Sequence, residues 1–200
     1  MSPRRLQTWR WFSHRNVARP LLLATALLTT ISAVACNAKD HVKSMAEQGL
    51  PVSAKFKVIA VGDQAPLYET STLAGDSVHV GQTNQPVTVM NVWATWCVSC
   101  REEMHDLQQL QDDYKTKGVR VLGVSVDESD VARVRKFVER EGLTFSMVHD
   151  QEGRVQQLYQ VSGIPSTFII GKDGRILWKS IGNLHGVVDS LKRVLDGAAR

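Results

Sequence analysis

The stretch from Val87 to Val126 constrains the fold most, because it changes periodicity twice in one short span. Val87-Thr88-Val89-Met90-Asn91-Val92 is a short apolar run rich in β-branched residues, which predicts a buried strand. Met104, Leu107, Leu110 and Tyr114 then recur at three- and four-residue steps and stop before Gly118, which predicts a helix over residues 98–116. Val119–Val126 reads as a second apolar strand. Strand, helix and strand at this separation make a crossover unit, so the two strands should be parallel.

Trp93-Ala94-Thr95-Trp96-Cys97-Val98-Ser99-Cys100 joins the first strand to the helix and places two cysteines on its first turn. Unpaired backbone N–H groups and the helix dipole favour an anion there, so the Cys97 thiol should ionise more readily than an isolated cysteine. Cys97 reads as the nucleophile. Cys100 lies one turn inward, placed to attack a mixed disulfide at Cys97 and expel the substrate as a thiol. The alternatives for such a pair are half of a zinc site or a structural disulfide. A closed zinc site needs two more ligands, yet the only other cysteine is Cys36 and the histidines show no paired ligand spacing.

Several separated motifs carry a family resemblance: Asn91-Val92-Trp93-Ala94-Thr95-Trp96-Cys97 with Cys100-Arg101, then Glu103, Val124-Ser125-Val126-Asp127, and Gly163-Ile164-Pro165-Ser166-Thr167-Phe168. In that order they resemble the thioredoxin superfamily, and more closely its TlpA/ResA-like branch of cell-envelope thiol-disulfide oxidoreductases. The resemblance runs from about Gly62 to the C-terminal helix. It implies an α/β thioredoxin fold and a redox-active Cys97–Cys100 disulfide with no other cofactor and no metal. It also implies protein thiol or disulfide substrates, such as cytochrome c haem-site or copper-site cysteines, and a membrane electron donor of the thiol-disulfide type.

The front of the chain reads as an export segment, residues 1–36. Arg4, Arg5, Arg10, Arg15 and Arg19 precede an apolar stretch from Leu21 to Ala35 that stops at Cys36. That stretch is shorter than the roughly 17–25 residues of a spanning helix, which makes an uncleaved anchor the second choice after a cleaved signal. Residues 1–35 hold five of the 24 basic residues and none of the 20 acidic ones, leaving 19 against 20. The net charge of +4 therefore belongs to the export segment, and composition offers no footprint for nucleic acid. Ala33-Val34-Ala35-Cys36 supports two readings, a lipoprotein signal that acylates Cys36 or ordinary cleavage after an AxA site. Parity favours lipidation, since an odd free thiol is a liability in an oxidising compartment. Either reading places the working part outside the cytoplasm, in a bacterial cell envelope. Residues 37–61 read as a tether holding the domain near a membrane.

Residues 62–200 suit one domain with one core. Gly62 to Pro66 resembles the family's opening segment, and Ser77–Val80 suggests an N-terminal hairpin or edge strand. A helix over Glu128–Glu141, a strand at Thr144–Val148 and a short helix over Glu152–Gln160 make an extra βα insertion. Thr167–Ile170 and Arg175–Lys179 flank Gly171-Lys172-Asp173-Gly174 as a hairpin, and Val187, Val188, Leu191, Val194 and Leu195 give a closing amphipathic helix. The sum is a mixed central sheet flanked by helices.

Around the cysteines, Ile164-Pro165 resembles the family's cis-proline loop, in which Ile164 would offer its N–H and C=O to an extended substrate segment. Trp96 would form a wall of that groove, while Trp93 belongs to the core. Asn91 stands where many thioredoxins carry a buried aspartate. Glu103 fills the family's glutamate position on the Cys100 face of the helix and would tune Cys100, the plain alternative being a solvated helix glutamate. Ser99 and His105 stand where the family often has proline, and Ser99 frees a backbone N–H beside the sulfurs. His149 is a weak hint of copper. The readings that compete with a reductase are a net disulfide oxidase or isomerase, a thiol peroxidase, and a copper-binding chaperone.

Overall fold

The computed structural model describes residues 58–200. The proposed export segment, Cys36 and most of the tether lie outside the described residues. A hairpin of β1 (Tyr68–Ser71) and β2 (Ser77–Val80), paired antiparallel, stands apart from one five-stranded sheet, whose strands in spatial order are Ser146–His149 (β5), Val119–Ser125 (β4), Val87–Trp93 (β3), Ser166–Ile170 (β6) and Ile176–Ile181 (β7).

The centre of the sheet is β3 (Val87–Trp93), all seven of whose residues are buried. A strand covered on both faces needs the continuous apolar run seen there rather than an alternating one. It runs parallel to β4 (Val119–Ser125) in the expected crossover and antiparallel to β6 (Ser166–Ile170). β5 (Ser146–His149) extends the parallel half beyond β4, and β7 (Ile176–Ile181) closes the other edge through a hairpin on β6. Each Val, Met or Ile fully buried on these strands contributes about 1.5–3 kcal/mol relative to exposure.

The crossover helix is broken where the periodicity predicts one continuous element. It comprises α1 (Val98–Glu102) and α2 (Met104–Tyr114), with a 3-10 turn at Lys115–Lys117 ending on Gly118 in the left-handed region, φ 77°. The break falls on Glu103, whose φ of −91° and ψ of −4° leave the helix while its side chain turns into the core. The hydrogen bond from the Leu107 N–H to the Glu103 carbonyl restarts the helix at once, 3.0 Å.

The insertion is present as α3 (Val131–Arg140), β5 and α4 (Arg154–Leu158). Asp130 caps α3, its Oδ1 accepting the Ala132 N–H at 2.9 Å, and Gly142 follows the helix with φ 62°. Val134 and Phe137 are its buried residues. The closing helix α5 (Val188–Ala198) buries Leu191 and Leu195 and packs on β7. Of the two readings of this segment, a hairpin or an edge strand, the hairpin is present, its first strand Tyr68–Ser71 having too little periodicity to be placed from the sequence. Its turn is built by Thr72, whose Oγ1 accepts the N–H groups of Ala74 and Asp76.

Candidate active site

Register places three loops at one end of the sheet. Trp93 ends β3 opposite Ser125 at the end of β4, and Val92 pairs with Ser166 at the start of β6. The chain leaving β3 toward Cys97, the chain leaving β4 through Asp127, and the Gly163-Ile164-Pro165 segment entering β6 therefore emerge together.

Cys97 and Cys100 form a disulfide, S–S 2.04 Å, with Cα atoms 5.3 Å apart. Cys97 is the N-cap of α1 in extended backbone, φ −81° and ψ 110°, and its Sγ accepts the Cys100 N–H at 3.2 Å. Ser99 Oγ lies 3.6 Å from the same sulfur. Cys97 keeps 7% exposure and Cys100 none, so an incoming group meets Cys97 first. Beside it Trp96 is 63% exposed. Trp93 is fully buried against Phe137, ring centroids 5.1 Å apart, as its core assignment requires.

The loop before Cys97 is held by a residue to which the sequence reading gave no role. The Asp127 carboxylate accepts the Thr95 N–H at 2.9 Å, the Thr95 hydroxyl at 2.5 Å and the Ser125 hydroxyl at 2.7 Å, and Asp127 is itself buried. The Val126 N–H donates to the Trp93 carbonyl at 2.9 Å, joining the two loops again. Asp127 ends the Val124-Ser125-Val126-Asp127 motif, but only the fold shows that it reaches Thr95.

Glu103 is fully buried rather than solvated. Its Oε1 accepts from Asn91 Nδ2 at 2.7 Å and its Oε2 accepts the Leu184 backbone N–H at 2.9 Å. Burial pushes its carboxyl up to about 7, against the downward pull of the Leu184 and Asn91 hydrogen bonds. Asn91 Nδ2 also donates to Thr167 Oγ1 at 3.0 Å, linking β3, β6 and the helix break. The Leu184 contribution comes from backbone and left no sequence signal.

The Ile164–Pro165 peptide bond is cis. The Pro165 carbonyl is taken by the Gly182 N–H at 2.8 Å, whereas no described residue bonds to the Ile164 N–H or carbonyl. His105 is exposed, with Nε2 3.9 Å from Glu141 Oε2. His149 Nε2 lies 2.8 Å from the Asp127 carbonyl oxygen, so the histidine braces the same loop. Among the described residues no three His, Cys, Asp or Glu side chains group as a metal site.

A model of the AhpC/TSA family matches residues 61–179. Thiol-disulfide oxidoreductase ResA of Oceanobacillus iheyensis is 29% identical over 167 residues, covering 82% of this chain and 79% of that one. ResA of Geobacillus thermodenitrificans is 35% identical over 136 residues, covering 66% and 78%. A crystal structure assigned as the thiol:disulfide interchange protein DsbE of Chlorobium tepidum superposes with a TM-score of 0.65 at 27% identity, covering 71% of this chain and 99% of that one. By its matched domain, its relatives and its central sheet, the chain belongs to the AhpC/TSA family of the thioredoxin superfamily and is a thiol-disulfide oxidoreductase.

Proposed function

We propose that this protein reduces disulfides in exported proteins at the outer side of a bacterial cytoplasmic membrane, tethered through residues 37–61 with Cys36 lipidated. The observation that carries the redox roles is the asymmetry of the pair: Cys97 is reachable and its sulfur faces an N–H donor, while Cys100 is sealed behind it. In the reduced protein the Cys97 thiolate attacks a substrate disulfide, forming a mixed disulfide and releasing one substrate thiolate. Glu103, one helical turn from Cys100 and poised near neutral pH, takes the Cys100 proton. The Cys100 thiolate then attacks Cys97 Sγ and releases the second substrate sulfur. Two electrons pass to the substrate and the protein is left with the Cys97–Cys100 disulfide, which a membrane dithiol donor reduces again.

Trp96 and the Ile164-Pro165 segment would hold the substrate chain, Ile164 through the N–H and carbonyl that no described residue occupies. Cysteines of apocytochrome c haem sites and of copper sites are the substrates the ResA-like relatedness favours. The test is trapping. With Cys100→Ala the mixed disulfide cannot resolve, and proteins of the cell envelope should remain attached to Cys97. Recovery of no attached protein, together with rapid consumption of a hydroperoxide by the unaltered protein, would replace the reductase reading by a peroxidase.

A further inference from the structure

A groove of about 410 Å³ adjoins the loop before Cys97, and the redox chemistry above does not use it. Trp96 stands at one end, Arg101 of α1 and Arg133, Lys136 and Arg140 of α3 line it, and Phe137 lies between the cations. Arg133, Lys136 and Arg140 follow one another at steps of three and four residues, so they share one side of α3. All four cations are exposed.

Among the described residues no acidic side chain lines this groove. Arg140 is fixed by Glu141, its Nε and Nη2 at 2.9 and 2.8 Å from Oε1, and its guanidinium lies over the Phe137 ring at 5.2 Å. Arg101, Arg133 and Lys136 have no side-chain hydrogen bond or ion pair among the described residues. A neighbouring hollow, on which Trp96 and Arg133 also border, holds Asp127 and Glu128. The Asp127 carboxylate there is already engaged by Thr95 and Ser125. A shallower one shared by Arg101 and Arg140 holds Glu102 and Glu141.

We propose that the groove docks an acidic, extended segment of the protein partner, next to the cysteine that Cys97 attacks. The inference rests on the disulfide-exchange reading and adds a substrate preference to it. From Arg133 to Arg140 a helix advances roughly 10 Å at its 1.5 Å per residue. An extended chain covers that in about three residues, and side chains two apart on one face lie about 6.6 Å from each other. The cationic row thus matches a run of chain carrying two carboxylates better than a single small anion. Trp96 supplies an apolar surface for the stems of those residues. Exposed charge pairs are individually weak and screened by salt, so the groove acts mainly on the rate of productive encounter.

The experiment follows reduction of synthetic peptide disulfides by the reduced full-length protein at low and high ionic strength. Peptides carry Asp-Glu, Asn-Gln or Lys-Lys beside the cysteine, on either flank. On one flank the acidic peptide should react about tenfold faster than the neutral one at low salt, and the advantage should collapse at high salt. Arg133→Gln with Lys136→Gln should remove the advantage and leave the neutral peptide's rate unchanged. Equal rates for acidic and neutral peptides, or an advantage that survives the double substitution, would overturn the docking site while leaving the oxidoreductase intact. Oxidised glutathione gaining as much as the acidic peptide would overturn it in favour of a small-carboxylate site. A serine version of the acidic peptide, unable to exchange, should still bind and weaken in the double variant. Failure to reduce any peptide, with the serine peptide still bound, would instead remove the disulfide-exchange reading.

Discussion

Glu103 Oε2 accepts the backbone N–H of Leu184, 81 residues further along the chain, at 2.9 Å. The same carboxylate is bonded by Asn91 of β3 through its other oxygen. One side chain therefore joins the central strand, the break in the active-site helix and the loop after β7. A glutamine could satisfy only part of this, since both partners are donors and its amide nitrogen cannot accept. A carboxylate fits both, at the cost of being buried.

That cost gives a pH dependence of defined sign. The carboxyl rises from its usual 4.5 to about 7 in the folded protein, so the folded state holds a proton that the unfolded chain gives up. Its stabilising contribution is complete below about pH 4.5 and is lost as pH climbs through about 7, up to about 3 kcal/mol in all. Urea unfolding at a series of pH values should show stability falling across that window, and Glu103→Gln should flatten this part of the slope. A wild-type stability that rises throughout the window, with an unchanged slope in the variant, would show that Glu103 does not carry the shift.

Cys97 and Cys100 should differ in reactivity once reduced. Alkylation followed against pH, on Cys100→Ala and on Cys97→Ala, should give Cys97 a midpoint below the roughly 8.5 of a free cysteine. Cys100, wholly buried, should react about tenfold more slowly or less and without a lowered midpoint. Matching profiles would reverse or dissolve the division of roles.

Asp127 should behave as a positioning residue. Asp127→Ala leaves the half-buried Thr95 N–H and hydroxyl and the buried Ser125 hydroxyl without their acceptor, which should destabilise the fold by about 1–3 kcal/mol. Slackening the loop before Cys97 should also slow disulfide exchange, with Asp127→Asn recovering part of both. Unfolding curves that coincide for the alanine variant and the wild type would show that these bonds are dispensable.

What was legible in the sequence was whatever repeats or sits in a motif. Val87–Val92 and Val119–Val126 announce strands through their apolar, β-branched runs and a parallel pairing through the helix between them, and Cys97 with Cys100 announce their chemistry through spacing and a helix start. The unread parts depend on distance along the chain. Glu103 sits on a perfect helical period, so nothing local signals that the helix breaks there; the break accompanies an inward side chain whose partner, a backbone N–H at Leu184, has no sequence identity at all. Asp127 lay in plain view and still had no meaning until β4 was placed beside β3. The cationic row on α3 has no signal of its own in the sequence, because only the fold sets Trp96 and Arg101 along the same groove.

Ser99 bears on the direction of electron flow. Its hydroxyl lies 3.6 Å from Cys97 Sγ, and its backbone N–H is one that a proline at this position would lack. On reduction the Cys97 sulfur becomes a thiolate to the extent that its pKa is depressed, and a hydroxyl that turns toward it stabilises the reduced pair. Stabilising the reduced form raises the potential, so Ser99 makes the protein a better oxidant than it would otherwise be. A hydrogen bond to a charged group contributes about 1.5–3 kcal/mol, and 1.4 kcal/mol corresponds to about 30 mV for a two-electron couple. Ser99→Ala should therefore lower the potential by about 30–65 mV, read by equilibrating the purified protein with glutathione buffers. A reductase role further requires the wild-type value to lie nearer the roughly −270 mV of thioredoxin than the roughly −120 mV of the strongly oxidising periplasmic enzyme. A wild-type value at the oxidising end, with the pair mostly oxidised in growing cells, would turn the proposed function toward disulfide formation. A potential unmoved by Ser99→Ala would show that the Cys100 N–H, already 3.2 Å from the sulfur, holds the thiolate without help from the hydroxyl.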